Sequence, residues 1–236
     1  MGNGSNLLFT EKGYDGVVLK ISGGTDRMVC SGTCIYAESG VLLSKLARFA
    51  FENGLGGLEF ASGIPGSLGG AVFMNAGAYG GEMKDVISMV SSVNGYGIMK
   101  DRPVRDLDLS YRHSCFMENG EVILAVRLDL HPSSPDIIEA RMKDFNAQRA
   151  AKQPVHLPSG GSFFKRPEGH FAGKLIEDAG LKGLSIGGAQ VSELHAGFIV
   201  NTGNAVPSDI TDLMAVIQET VLGKFGVMLQ PEVRII

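Results

Sequence analysis

Hydrophobic and polar positions repeat along this chain with two different periods, and the changes of period mark out its elements. Val122, Leu124, Val126, Leu128 and Leu130 recur at every second position, the spacing of a strand with one buried face. Pro132, which has no amide hydrogen, ends it. Upstream, Leu42, Leu43, Leu46, Phe49 and Ala50 share one face of a 3.6-residue repeat, so Val41 to Asn53 predicts a helix stopped by Gly54. Val86 to Val93 and Tyr96 to Met99 flank Asn94-Gly95, which tolerates the positive φ of a tight turn, and predict a hairpin. Val17 to Ile21 and Met28 to Cys30, on either side of Gly23-Gly24, predict two more strands.

The second part of the chain has a different texture. Ser134-Pro135 predicts a helix start, with serine as cap and proline at the first helical position. Ile138, Met142 and Phe145 give that helix its apolar stripe, and Glu139 with Lys143 a surface ion pair. After Lys152 the run Pro154, Pro158, Ser159, Gly160, Gly161 reads as a connection between domains. Leu175 to Ala179 predicts a short helix stopped by Gly180, and Gly197 to Val200 a strand. Ser208 caps a predicted helix that turns Ile210, Leu213, Ile217 and Val221 inward. Val227 to Leu229 and Val233 to Ile236 predict a last strand interrupted at Pro231. The expectation is an α+β protein of two units, residues 1–152 and 153–236.

Gly63 to Gly81 fits neither period. Seven of its nineteen residues are glycine and none is charged, yet Ile64, Leu68, Val72, Phe73 and Met74 make it too apolar for a flexible linker. A buried, glycine-rich, uncharged turn suits a ligand whose phosphates are held by main-chain N–H groups, the alternative being a close-packed structural loop. Gly2-Asn3-Gly4 has no strand before it, so the dinucleotide-fold reading of such glycines lacks its context. The run from Gly169 to Lys174 is one residue short of a phosphate loop, and Leu175 stands where a magnesium-holding hydroxyl is needed.

Composition narrows the field. At 236 residues the chain holds one large domain or two ordinary ones, and a net charge of −4 gives no footprint for nucleic acid. No apolar run approaches the roughly 18 residues of a membrane span, and no signal peptide is recognisable. Cys30, Cys34 and Cys115 lack metal-site spacing and the five histidines are scattered. Reduced thiols, no metal, no membrane partner and a cytoplasmic location are expected.

Polar groups in loops or at strand ends are the candidates for chemistry. Ser162, between Gly160-Gly161 and Phe163-Phe164, is placed to deliver a proton or is a turn serine. Arg112 offers a planar fork for a carboxylate or phosphate, or is a surface cation. Glu232 lies in an apolar C-terminal strand, where it meets a partner or faces water at an edge. Arg149, Lys152, Lys165 and Lys182 favour an anionic ligand or form a solvated face.

Five ordered motifs carry a resemblance: Gly2-Asn3-Gly4-Ser5-Asn6-Leu7-Leu8, the Gly63-to-Gly80 stretch, Tyr111-Arg112, Gly161-Ser162-Phe163-Phe164-Lys165, and Pro231-Glu232-Val233. Together they resemble the UDP-N-acetylenolpyruvoylglucosamine reductase family over essentially the whole chain. The resemblance implies an α+β fold in which residues 1–152 form an FAD-binding domain of the vanillyl-alcohol-oxidase (PCMH) type. Residues 153–236 would form a smaller α+β substrate-binding domain.

By the same resemblance, FAD would be bound by Gly2, Asn3, Gly4, Ser5, Asn6, Leu7, Gly63, Ile64, Pro65, Gly66, Ser67, Gly70, Asn75, Gly77, Ala78 and Tyr79. NADPH would reduce the flavin and leave, and the enolpyruvyl ether of a UDP-sugar would then take hydride at C3. Arg112 and Glu232 would polarise the substrate carboxylate, Ser162 would protonate C2, and Lys152, Lys165, Lys182 and His195 would hold the substrate. A small βαβ piece that precedes Gly2 in the family is absent from this sequence, so an N-terminally truncated chain of the subtype lacking a tyrosine loop is expected. The resemblance leaves two alternatives: a non-catalytic flavin- or nucleotide-binding remnant, and another FAD-dependent oxidoreductase of this fold.

Overall fold

Strand and helix periods in the sequence resolve into two groups of elements, which a computed structural model describes over all 236 residues. Met1–Gly4 and Leu19–Gln148 form one compact unit, and Ser5–Val18 with Arg149–Ile236 the other. The expected division into 1–152 and 153–236 differs from this grouping at the N-terminus. Leu7–Leu8 pair in parallel with Arg234–Ile235, and the Thr10 amide donates to the Ile236 carbonyl at 2.8 Å. A two-residue strand has no period to read.

The first unit is built on a five-stranded antiparallel sheet in the order Met28–Ser31, Cys34–Glu38, Val122–Asp129, Ile87–Val93, Met99–Pro103. Helix α1 (Leu43–Glu52) buries Leu43, Leu46, Ala47 and Ala50, and α2 (Leu68–Phe73) buries Leu68, Ala71 and Val72. Both supply the core that also contains Ile35, Ala37, Val90, Val126 and Leu128 of the sheet. The predicted hairpin forms with a longer turn: Ile87–Val93 pairs with Met99–Pro103, Tyr96–Ile98 lie in the turn rather than in a strand, and the positive φ falls on Gly97 instead of Asn94-Gly95.

Three expectations are corrected here. Val17–Ile21 is not a strand: it is irregular and largely exposed, and the partner of Met28–Ser31 is Cys34–Glu38 across a Gly32-Thr33 turn. The alternation read from Val122 to Leu130 does not fall on one face. The pairing shifts between Ser91–Ala125 and Ser92–Ile123, and such a bulge moves the following side chains to the opposite face. Ile123 is therefore buried while Val122 is 46% exposed. The glycine-rich stretch is not loop throughout, because α2 lies inside it.

The far edge of this sheet is fastened by charge. Glu121 accepts from Ser92 Oγ at 2.6 Å and from Arg102 Nε at 2.9 Å, with Arg102 Nη2 on its other oxygen. The Arg102 guanidinium, followed by the Ser92 hydroxyl, holds the Glu121 carboxyl down at about 2. A depressed acid stabilises the fold above its unfolded pKa and loses that contribution as pH falls toward its folded one. Glu121→Gln is thus expected to cost about 1.5–3 kcal/mol in urea unfolding at neutral pH, the range for hydrogen bonds to charged groups. The gap from wild type should close as the pH approaches 2, and a pH-independent gap would refute the charge assignment.

α3 (Phe116–Asn119) is a single turn, and α4 (Pro135–Lys152) begins at the predicted proline and buries Ile138. Its Lys143–Glu139 ion pair forms at 3.0 Å. In the second unit, a four-stranded antiparallel sheet runs in the order Ser159–Ser162, Phe198–Asn201, Ala189–Val191, Ser185–Ile186. α5 (Ala172–Asp178) and α6 (Pro207–Phe225) cover it, with Ile176, Leu213, Ile217 and Val221 fully enclosed. Ser208 is not the cap of α6. The helix starts one residue earlier, at Pro207, and the Asp209 carboxylate accepts from the amides of Val206 and Gly188 at 3.1 and 3.0 Å. Val227–Leu229 is irregular rather than strand, although Leu229 is fully buried. No helix is long and apolar enough to cross a membrane.

Candidate active site

The glycine-rich stretch is sewn onto the segment before α1 by main-chain bonds. Leu43 N donates to Gly66 O at 3.0 Å, Leu68 N to Val41 O at 2.7 Å, and Gly69 N to Ser39 O at 2.8 Å. A Cβ on Gly2 would lie 2.1 Å from Ser67 Oγ, so the Gly2 backbone packs directly against that serine side chain. Beside Ser67 opens a cavity of about 320 Å³, lined among others by Asn3, Lys20, Asp26, Leu42 and Lys45. That volume lies in the range of small-molecule sites, about 300–1,000 Å³.

Beyond α2 the chain turns sharply. Asn75, Tyr79 and Arg112 all have positive φ, at 42°, 53° and 53°, and are three of only five non-glycine residues that do. Left-handed backbone costs a side-chain-bearing residue about 1–2 kcal/mol, so the surroundings must enforce it. They do so through Asn75, which is fully buried. Its Nδ2 donates to Glu82 Oε2 at 2.7 Å and to Ser110 O at 2.9 Å, and its Oδ1 accepts from Lys84 N at 2.9 Å. Ser114 Oγ adds a bond to Phe73 O at 2.7 Å. These two clamps fix the turn from Ser110 to His113 that carries Arg112.

Arg112 Nη2 reaches Gly77 O at 3.5 Å, and its guanidinium lies 5.1 Å from the Tyr111 ring centroid. Tyr79, at the tip of the Gly77–Glu82 hairpin, stacks on Phe145 with ring centroids 4.6 Å apart. The first unit therefore brings Arg112 together with Gly77–Tyr79. The side chain of Asn75, expected to touch cofactor, is spent on protein and acts by positioning that turn.

The second unit assembles the other candidates. Glu232 N donates to Phe163 O at 2.8 Å, Lys165 N to Gln230 O at 2.8 Å, and Phe163 N to Gly197 O at 3.0 Å. The serine strand is thus held between the Gly197 turn and the Pro231-Glu232 segment. Asn6 Nδ2 donates to Glu232 O at 3.1 Å, so Ser5–Leu7 of the first glycine motif brace the glutamate segment. Ser162 Oγ donates to Phe164 O at 3.2 Å. Among the lysines, Lys182 is paired with Glu177 at 2.9 Å, and exposed Lys152 ends α4. Arg112 belongs to the first unit, and Ser162, Glu232 and His195 to the second.

His195 has a defined protonation state. Its Nδ1 accepts from Gly197 N at 3.1 Å, which leaves the proton on Nε2. A Cβ placed on Gly197 would lie 3.0 Å from the His195 ring and 3.6 Å from Ser162 Oγ, so imidazole and serine flank one glycine. Burial pushes the imidazole pKa below 6.5, and nearby Lys182 adds to that. The sign follows: the unfolded chain takes up a proton first, so stability falls as pH drops below about 6.5. His195→Gln should flatten that acid limb, as read by thermal unfolding between pH 5 and 8, and an unchanged limb would refute the buried neutral state.

Sequence reasoning missed Glu82, Ser110 and Ser114, whose clamping follows from tertiary contacts alone.

By the comparisons that follow, this is a flavin-dependent oxidoreductase, an FAD-binding domain followed by a reductase C-terminal domain. Residues 1–101 match an FAD binding domain, and residues 153–236 match the C-terminal domain of UDP-N-acetylenolpyruvoylglucosamine reductase. The reductase of that name from Alkaliphilus oremlandii is 49% identical over all of this chain and 78% of its own length. The one from Agathobacter rectalis is 50% identical, over all of this chain and 79% of its own. The crystal structure of the Thermus caldophilus enzyme superposes with a TM-score of 0.86 at 34% identity, covering all of this chain and 84% of that one. The chain belongs to the UDP-N-acetylenolpyruvoylglucosamine reductase family.

Proposed function

We propose that this chain reduces the enolpyruvyl group of UDP-N-acetylenolpyruvoylglucosamine to give UDP-N-acetylmuramate, a peptidoglycan precursor, using NADPH and FAD in the cytoplasm. The observation that carries the residue roles is the main-chain lacing of Ser162's strand to Glu232's, which sets a hydroxyl and a carboxyl on neighbouring segments. The structure fits an FAD in one respect: a cavity with amide, hydroxyl and lysine donors beside Ser67. FAD when bound supplies hydride transfer, from NADPH in and to the substrate's C3 out.

The remaining work falls to side chains. Arg112 binds the substrate carboxylate through a fork whose direction the strained turn fixes. Glu232 supports that carboxylate as a hydrogen-bonding partner, protonated while it does so, since two bare carboxylates repel. Charge moving onto the carboxylate as C3 gains hydride is stabilised by both groups. Ser162 delivers a proton to C2, completing addition of H⁻ and H⁺ across the double bond. His195, as an Nε2–H donor, with Lys165, Lys182 and Lys152, holds the diphosphate and sugar. We assign residues 1–152 to FAD binding and 153–236 to substrate binding, with Ser5–Leu7 bracing the latter. The experiment is a mass balance: NADPH consumed should equal saturated product formed, and NADPH oxidised without that product would refute the reading.

A further inference from the structure

The tip of the Gly77–Glu82 hairpin carries a residue that its backbone does not favour. Gly77 pairs with Glu82 and Ala78 with Gly81, which leaves Tyr79-Gly80 as a two-residue turn with φ of 53° and 84°. Where both central residues of a hairpin turn have positive φ, Asn, Asp or Gly ordinarily stands first. A tyrosine in that place is strained, and such strain persists only where the surroundings enforce it.

The enforcing contact is Phe145. The Tyr79 and Phe145 rings are parallel to within 3°, with centroids 4.6 Å apart, a stacked aromatic pair. Phe145 stands on α4, along the stripe of Ile138 and Met142, and those two pack into the core of the first unit. The stripe that starts in the core thus ends on Tyr79. The other holds of α4 nearby are long. Arg141 Nη1 lies 3.8 Å from Glu59 Oε1, an oxygen that accepts no hydrogen bond, and Ser62 Oγ lies 3.5 Å from Asn146 Oδ1. Both are at or beyond the limit of a polar contact, so the ring pair is the firmest of the three.

The hairpin that Phe145 pins also touches Arg112, whose Nη2 leans on Gly77 O at 3.5 Å. Asn75 sets the base of that hairpin through Glu82, and Phe145 sets its tip. We propose that Phe145 is a positioning residue for the substrate carboxylate: stacked on Tyr79, it fixes the hairpin whose Gly77 carbonyl aims the Arg112 guanidinium. The inference rests on the role given to Arg112 above. It adds to that role a residue of a different element, acting through two others.

The test is aromatic rescue. Steady-state kinetics are compared for wild type, Phe145→Leu, Phe145→Tyr, Tyr79→Leu and the double leucine variant, with flavin content and flavin reduction by NADPH measured alongside. Leucine keeps apolar bulk and loses the stack, so Phe145→Leu should raise KM for the enolpyruvyl substrate about three- to tenfold, the effect expected of one aromatic pair. Flavin content and flavin reduction should stay at wild-type values, because Phe145 is half-buried and outside the core cluster. Phe145→Tyr should restore the wild-type KM. Tyr79→Leu should raise KM as well, and with Tyr79 already replaced, Phe145→Leu should raise it no further, since the two rings act as one unit. A wild-type KM in either single leucine variant overturns the proposal, and so does an additive rise in the double variant. Phe145→Tyr that fails to rescue makes the residue a space-filler and overturns it too. Flavin lost in step with activity overturns it by assigning the stack to cofactor retention. Wild type that consumes no enolpyruvyl substrate defeats the functional reading itself, and this inference with it.

Discussion

Ser162→Ala is expected to leave reduction of the bound flavin by NADPH near the wild-type rate, while slowing its reoxidation by the enolpyruvyl substrate about 100- to 10,000-fold, the usual worth of a positioned proton donor. The asymmetry follows from the chemistry. Hydride passing from NADPH to the flavin needs no proton at C2 of a substrate that has yet to bind. The second half-reaction needs one, and Ser162 is its proposed source, next in the chain to Phe163, whose main chain bonds to Glu232 and Gly197. Its contact with Phe164 O at 3.2 Å is weak enough to be exchanged for substrate. Removing the hydroxyl leaves that carbonyl without one donor but takes nothing from the core, so thermal stability should change little. Stopped-flow absorbance resolves the two steps. Equal loss in both would show that Ser162 shapes the pocket and does not deliver the proton.

The second large effect concerns a residue that touches no reacting atom. Asn75→Ala should destabilise the first unit by about 3 kcal/mol and lower turnover together. Three hydrogen bonds disappear with the amide, one of them to the Glu82 carboxylate. A buried group left unsatisfied costs about 1–3 kcal/mol. Alanine also tolerates the φ of 42° less well than asparagine, which is enriched in left-handed backbone. The functional part runs through Ser110 O, because the turn carrying Arg112 loses one of its two clamps. Its signature is a KM for the substrate that rises more than kcat falls, with NADPH reduction unaffected, whereas a merely destabilised enzyme would recover wild-type KM at low temperature. Urea unfolding and substrate kinetics at two temperatures decide between them.

Much of this was legible in the sequence where one physical rule dominated. The α1 stripe, the Pro135 helix start and the inward face of α6 are local patterns, and each appears in the structure; the hairpin after Val93 forms too, but with its turn at Asn94–Ile98 and its positive φ at Gly97. The candidate residues were legible as residue types in order, Arg112, Ser162 and Glu232 among them. What escaped was non-local. The bulge at Leu124 turns the start of the alternation over, exposing Val122 and burying Ile123, because its cause lies on a neighbouring strand. Val17–Ile21 has strand composition, but no partner strand takes it up. The start of α6 depends on an aspartate that binds Gly188, nineteen residues before its first turn. Asn75 reads as a ligand-contacting residue in a glycine-rich loop. Only the folded chain reveals that both its amide hydrogens and its oxygen are bonded to protein.

Reduction of an enolpyruvyl double bond by a flavin held in this chain can be followed directly. The direct measurement is anaerobic: the FAD-loaded protein is reduced with one equivalent of NADPH, freed of nucleotide, and mixed with UDP-N-acetylenolpyruvoylglucosamine. The account predicts that the oxidised flavin's visible band returns in full, with one saturated UDP-sugar formed per flavin. A flavin that stays reduced until oxygen is admitted would contradict it.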